Sequence, residues 1–178
     1  MIFLSYISIM VKNLDQEGLK SIVNRYDLFF IDLWGVVHNG IELYENSINV
    51  LDNLAAAKKD FVLLTNAPRP NETVINFLKK MGLKKYFENV FTSGEAAHKY
   101  LISELGKKNF FHIGPPRDFD LFKNIEKNNV FNIEDVDYLL CTGLFDEHEN
   151  DLNYYKNLLS NHISKKLICT NPDLIVDR

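Results

Sequence analysis

Two polar stretches in this 178-residue chain follow apolar runs of the kind that form strands, and both carry side chains suited to phosphorus chemistry. The first is Asp32, which closes Leu28-Phe29-Phe30-Ile31 and opens the turn Leu33-Trp34-Gly35. The second is Thr65-Asn66, which closes Phe61-Val62-Leu63-Leu64 and is broken by Ala67-Pro68-Arg69-Pro70. Open parallel sheets bind ligands outside the carboxyl ends of their strands, so both groups would meet at one edge. A carboxylate can attack phosphorus as a covalent nucleophile. A neighbouring hydroxyl and backbone N–H groups can hold the phosphoryl oxygens. Two anions approach one another only with a divalent cation between them, and Mg²⁺ fits that role. The competing reading of Asp32 is a plain cap on the turn before a helix.

The elements that must position these groups follow from periodicity. The aromatic and β-branched run at 28–31 predicts a strand buried on both faces. A short amphipathic helix is expected over 14–24. Ile48, Leu51, Leu54 and Ala55 share a helical face behind Asn46 or Ser47 as cap, and Val74, Phe77, Leu78 and Met81 share another up to Gly82. Val90-Phe91-Thr92 predicts a strand and Ser93-Gly94-Glu95 the start of a further helix. Beyond Gly106 strands are expected over 109–113, 136–141 and 166–170, with helices over 118–126 and around Leu152, Tyr155 and Leu159. Strand–helix units repeating in this way predict an α/β fold with a Rossmann-like, doubly wound parallel sheet and a second α/β unit. The boundaries expected are a leading extension over 1–19, the first unit over 20–99 and the second over 100–178.

Composition bounds the function. The chain is 46% apolar and 25% charged with a net charge of −4, and it has no local Lys/Arg cluster, which argues against a nucleic-acid binder. Residues 1–11 are apolar but lack a basic lead-in, a cleavage site and the length to span a bilayer, so a cytoplasmic protein with no membrane partner is expected. Cys141 and Cys169 lie in apolar strand-like runs and read as buried free thiols. Asp146-Glu147-His148-Glu149 reads as a solvated turn rather than a metal site. His38 reads as a surface or flap residue, and His98, His112 and His162 as incidental. Arg69 is placed to meet an anionic substrate or to stay a surface charge.

Five segments occur in a telling order: Phe29-Phe30-Ile31-Asp32-Leu33-Trp34-Gly35-Val36-Val37-His38-Asn39-Gly40, Leu63-Leu64-Thr65-Asn66-Ala67-Pro68-Arg69-Pro70, Phe91-Thr92-Ser93-Gly94-Glu95-Ala96, Thr142-Gly143-Leu144-Phe145-Asp146 and Cys169-Thr170-Asn171-Pro172-Asp173. Together they resemble the haloacid dehalogenase superfamily. More narrowly they resemble its branch of NagD-like sugar phosphatases and pyridoxal phosphatases, which carry a large α/β cap; the Asp-Leu-Trp-Gly variant is similar to an uncharacterised bacterial subfamily. The resemblance implies a Mg²⁺-dependent hydrolase of a small phosphorylated metabolite. In that reading Asp32 forms the aspartyl-phosphate and ligates Mg²⁺, Trp34 lends a backbone carbonyl to the metal, and Gly35 allows the phosphate-facing turn. Thr65 and Asn66 hold the phosphoryl group, and Asp146, Asn171 and Asp173 fall where a cap faces substrate.

Two departures qualify what the resemblance implies. The family's usual acid/base aspartate, two residues after the nucleophile, is Trp34 here, whose indole donates a hydrogen bond but cannot shuttle a proton. A lost acid/base group costs about 10²–10⁴ in rate. The family's third-motif Lys and fourth-motif acidic pair have no counterpart through Arg178, which implies an incomplete core in a truncated chain. Three readings follow: an impaired phosphatase-like hydrolase, an inactive truncated or split-gene remnant, or a phosphometabolite-binding module. The partners implied are a homo-oligomeric copy or a complementing carboxyl-terminal fragment.

Overall fold

The computed structural model describes Leu14 and residues 17–172. Expectations that fall on residues 1–11, and on Asp173, lie outside the described residues. Two three-stranded parallel sheets carry the fold. The first takes β1 (Leu28–Asp32), β2 (Asp60–Thr65) and β3 (Val90–Thr92) in that order. The second takes β4 (Phe110–Ile113), β5 (Tyr138–Cys141) and β6 (Lys166–Cys169), also in sequence order. The α/β, Rossmann-like architecture of the sequence reading is therefore present, with helices α1 (Glu45–Ala56), α2 (Asn71–Lys80), α3 (Ser93–Leu105) and α4 (Leu152–Ser160) connecting the strands.

The register of the first sheet places the chemistry. Asp32 pairs with Leu64 and Thr65 with Thr92, so the carboxyl ends of all three strands share one edge. Helices α1 and α2 supply Leu51, Leu54, Val74 and Leu78, which close over Phe61, Leu63 and Val90 of the sheet with Leu33 and Val37 from the turn after β1. Phe29 and Ile31 face this core, whereas Leu28, Phe30 and Asp32 alternate to the other side and are exposed. The expectation of a strand buried on both faces is thus corrected: only one face of β1 is covered among the described residues, and Phe30 is 67% exposed. The four-residue apolar run was a poor guide, since periodicity cannot separate a two-sided strand from a one-sided strand with apolar residues left outside.

Other local expectations shift. The helix expected over 14–24 is two 3-10 turns, Leu19–Ser21 and Val23–Arg25, and the helix expected over 118–126 is the 3-10 segment Pro116–Phe122 followed by Glu126–Asn128. Helix α1 starts at Glu45 behind Tyr44, so both expected caps, Asn46 and Ser47, lie inside its first turn. Ser47 instead turns its hydroxyl back to the Val36 carbonyl at 2.5 Å, tying the turn after Asp32 to the helix. Leu101 and Leu105 of α3 pack with Phe110, Leu121, Phe122, Tyr138 and Leu140, so this helix contributes its carboxyl-terminal half to the core beneath the second sheet. Tyr155 is buried as expected, and its hydroxyl accepts the Phe145 N–H at 2.7 Å.

Candidate active site

The turn after β1 is closed on itself. The carbonyl of Leu33 accepts from the N–H groups of Val36, Val37 and His38 at 3.3, 2.8 and 3.1 Å, and Gly35 N–H donates to the His38 carbonyl at 2.8 Å. Gly35 has φ +74°, a conformation that costs glycine nothing, so its role in the turn agrees with the sequence. Its N–H, however, is spent inside the turn. Asp32 stands exposed at the strand end, with Oδ1 accepting the Leu33 N–H at 2.8 Å. That bond occupies Oδ1 and orients the carboxylate.

His38 departs from expectation: it is buried at 4% exposure, not a surface residue. Its ring meets Trp34 edge-on at 5.8 Å and Phe77 of α2 at 5.7 Å. Nδ1 accepts the Gly40 N–H at 3.0 Å, which places the ring proton on Nε2. Burial lowers the His38 pKa, with the charge of Asp32 pulling the other way. Trp34 lies against Gly40, where a Cβ would fall within 2.6 Å of the indole. A sequence pattern could flag this only through the glycine that admits the ring.

The second polar strand end is held by the third. Thr92 caps α3 through Glu95 N–H at 2.8 Å, and its hydroxyl donates to the Arg69 carbonyl at 2.5 Å. Its backbone N–H donates to Asn71 Oδ1 at 2.9 Å, and Ser93 Oγ donates to the carbonyls of Asn66 and Ala67 at 2.8 and 3.0 Å. Gly94 passes so close to the Arg69 backbone that any Cβ would collide with it. The Ser93-Gly94 segment is therefore a clamp on the loop after Thr65. Thr65 Oγ1 accepts the Ala67 N–H at 3.3 Å, leaving its own proton to donate.

A pocket of about 460 Å³ opens between these parts, lined by Trp34, His38, Thr65, Arg69, Phe77 and Lys80 among others. Its lining comes wholly from residues 33–80. Two cations, three rings and a hydroxyl make it suited to an anion attached to an apolar or planar body. Phe77 and Lys80 were not anticipated as site residues, since a helix-face Phe normally reads as core.

Arg69 is engaged with the second unit: its Nε lies 3.3 Å from Oδ1 of Asp118, which is buried at 4% exposure. Burial raises the Asp118 pKa, opposed by Thr142, Arg69 and Arg117. The Thr142 hydroxyl bonds Asp118 and lies 2.8 Å from His112 Nε2. Because the hydroxyl has one proton, given to the carboxylate, His112 donates from Nε2. Asp146 pairs with Arg117 at 2.6 Å, and the Asn171 carbonyl accepts from Cys169 Sγ at 3.2 Å. Neither lines the pocket.

The candidate donors for a cation are the Asp32 carboxylate and, two residues on in the chain, the Trp34 carbonyl, hard oxygens of the type Mg²⁺ takes. Mg²⁺ is commonly held by one or two carboxylates, waters and substrate phosphate. No group of three His, Cys, Asp or Glu side chains gathers among the described residues.

A parallel α/β sheet that brings an acidic strand end and a hydroxyl-bearing one to the same edge is an arrangement that phosphoryl- or acyl-handling hydrolases can use. Residues 29–127 match the haloacid dehalogenase-like hydrolases, and the chain belongs to that family. It is similar to a haloacid dehalogenase-like hydrolase from Brucella suis, with 30% identity and a TM-score of 0.77 over 96% of this chain and 63% of that one. A 4-nitrophenylphosphatase from Thermotoga maritima aligns at 25% identity and TM-score 0.64, over 86% of this chain and 57% of that one. NagD from E. coli K-12 shares the fold at 15% identity and TM-score 0.61, over 85% of this chain and 59% of that one. The fold is thus shared with NagD and with the 4-nitrophenylphosphatase. The chain spans under two thirds of each neighbour's length. No curated protein matches it, and no helix among the described residues is long and apolar enough to cross a membrane.

Proposed function

We propose that this chain carries the nucleophile side of a phosphatase-like hydrolase acting on a small phosphorylated metabolite, with Asp32 as nucleophile. The observation that supports it is the shared edge: an oriented carboxylate at the end of β1 and the Thr65 hydroxyl at the end of β2, beside a pocket holding Arg69 and Lys80. Oδ2 of Asp32 attacks phosphorus, the bond to the leaving oxygen breaks, and an aspartyl-phosphate forms. Thr65 Oγ–H donates to a phosphoryl oxygen, and Asn66 stands next to it. Mg²⁺, when bound by Asp32 and the Trp34 carbonyl, would neutralise charge between carboxylate and phosphate.

The leaving oxygen needs a proton, and the site is poorly furnished to give one. Trp34 is a hydrogen-bond donor without acid function at neutral pH. His38 is held neutral by burial. The chain thus favours esters whose leaving group departs as a stable anion, such as 4-nitrophenyl phosphate, and it releases phosphate from Asp32 slowly.

The test is phosphoryl transfer from 4-nitrophenyl phosphate with Mg²⁺. Wild type should give a hydroxylamine-labile phosphoprotein that Asp32→Asn lacks, and Trp34→Asp should raise turnover by about 10²–10⁴. No phosphoprotein in any variant would overturn catalysis by this chain. A second reading, phosphometabolite binding without turnover, draws on Trp34 at the usual acid/base position and on the absence of a three-member metal-ligand cluster among the described residues. It expects calorimetric binding of inorganic phosphate that survives Asp32→Asn.

A further inference from the structure

Strands β5 and β6 run parallel in a register that sets Cys141 directly beside Cys169. Register partners on adjacent parallel strands send their side chains to the same face of the sheet, about 4.8 Å apart. That spacing lies within the Cα separations that a disulfide bridges, about 4.4–6.8 Å. Both cysteines are free, Cys169 exposed on its edge strand and Cys141 half-buried, and their side chains are within hydrogen-bonding reach of each other. Each thiol donates to the carbonyl two residues on, Cys141 to Gly143 at 3.5 Å and Cys169 to Asn171 at 3.2 Å. The sequence expectation of two buried thiols is corrected for Cys169, and the pair has no part in the phosphoryl chemistry.

We propose that Cys141 and Cys169 form a thiol–disulfide exchange site for small disulfides of the oxidised-glutathione class. The Cys169 thiolate attacks one sulfur of the small disulfide, whose S–S bond breaks; one small thiol leaves and takes up the proton that Cys169 released. Cys141, as thiolate, then attacks Sγ of Cys169 and expels the second small thiol, which takes up the Cys141 proton. The two cysteines lose two electrons and the small disulfide gains them.

The environments set the order of attack. Burial, then the charge of the neighbouring Cys169, pushes the Cys141 thiol up to about 11, so it is a poor first nucleophile. Once Cys169 is capped as a mixed disulfide, that neighbouring charge is gone and Cys141 ionises more readily. Its proximity then supplies the effective concentration a resolving thiol needs.

The experiment treats the reduced full chain with oxidised glutathione and reads intact mass and a non-reducing peptide map. The expected product has lost two hydrogens, joins the Cys141 and Cys169 peptides, and returns to the dithiol with dithiothreitol. Cys141→Ser should stop at one lasting glutathione adduct on Cys169. Cys169→Ser should react at least ten-fold more slowly. A lasting adduct on wild type, a cross-linked dimer through Cys169, or a chain that stays reduced would each overturn the proposal, whatever becomes of the phosphoryl chemistry at Asp32.

Discussion

At the scale of single residues, the side chains buried without an evident chemical task are the ones that make stability depend on pH. His112 sits at 6% exposure with Nε2 against Thr142, and burial lowers its pKa to about 4. An unfolded histidine titrates near 6.5. Between those values the unfolded chain binds more protons, so stability rises with pH there. The contribution is complete above about pH 6.5 and is lost as pH falls toward 4, in all about 3 kcal/mol. Thermal unfolding of wild type should weaken steeply from pH 7 to pH 5, and His112→Asn should flatten that slope; equal slopes would show that His112 does not carry it. The histidine was visible in the sequence, but nothing beside it in the chain marked it as buried, because its partner Thr142 lies just past the end of the neighbouring strand β5.

Among elements, the junction of β3 and α3 matters more than its length suggests. Thr92 receives the Glu95 N–H in the first turn of α3 and also gives its proton to the Arg69 carbonyl. One hydroxyl thus caps a helix and pins the loop that carries Thr65 and Arg69. Replacing Thr92 with Val keeps the shape and removes both bonds. It should cost about 1–3 kcal/mol, read as a lower midpoint in urea, and should increase hydrogen exchange across residues 66–71. A stability loss with no local change in exchange would mean that the cap alone matters. The strand, the helix and the Gly94 position were all legible in the sequence, where they follow from a short apolar run and a Ser-Gly-Glu start. Their clamp on the loop was not, since it joins residues 23 to 27 positions apart.

The whole molecule is shaped by what its first sheet leaves uncovered. In-register pairing sets Leu28 beside Asp60, Phe30 beside Val62 and Asp32 beside Leu64, with Leu28, Phe30 and Leu64 on the face away from α1 and α2. Leu28, Phe30 and Leu64 are 47, 67 and 41% exposed. Among the described strands β1 is also an edge, with backbone groups open to pairing. Such a patch favours association with another apolar surface. The chain should therefore sediment as concentration-dependent oligomers, and Phe30→Lys should shift it toward the monomer while Phe119→Lys, on the second unit and 46% exposed, should not. A monomeric wild type would remove the association.

The sequence by itself pointed to the residues proposed to carry the chemistry and determined which family the chain belongs to. Both are written in short contiguous segments: a strand that ends in Asp32, a strand that ends in Thr65, and a glycine where the turn needs φ above zero. Alternating strand and helix periods also established a parallel α/β sheet, because that signal is local. The tertiary structure alone decided that β1 is covered on one face, that His38 turns inward to Trp34 and Phe77, that Arg69 pairs with buried Asp118, and that Cys141 meets Cys169. Each of these depends on which strand or helix lies alongside another. Sequence spacing does not encode that, since register and packing are settled by the chain as a whole.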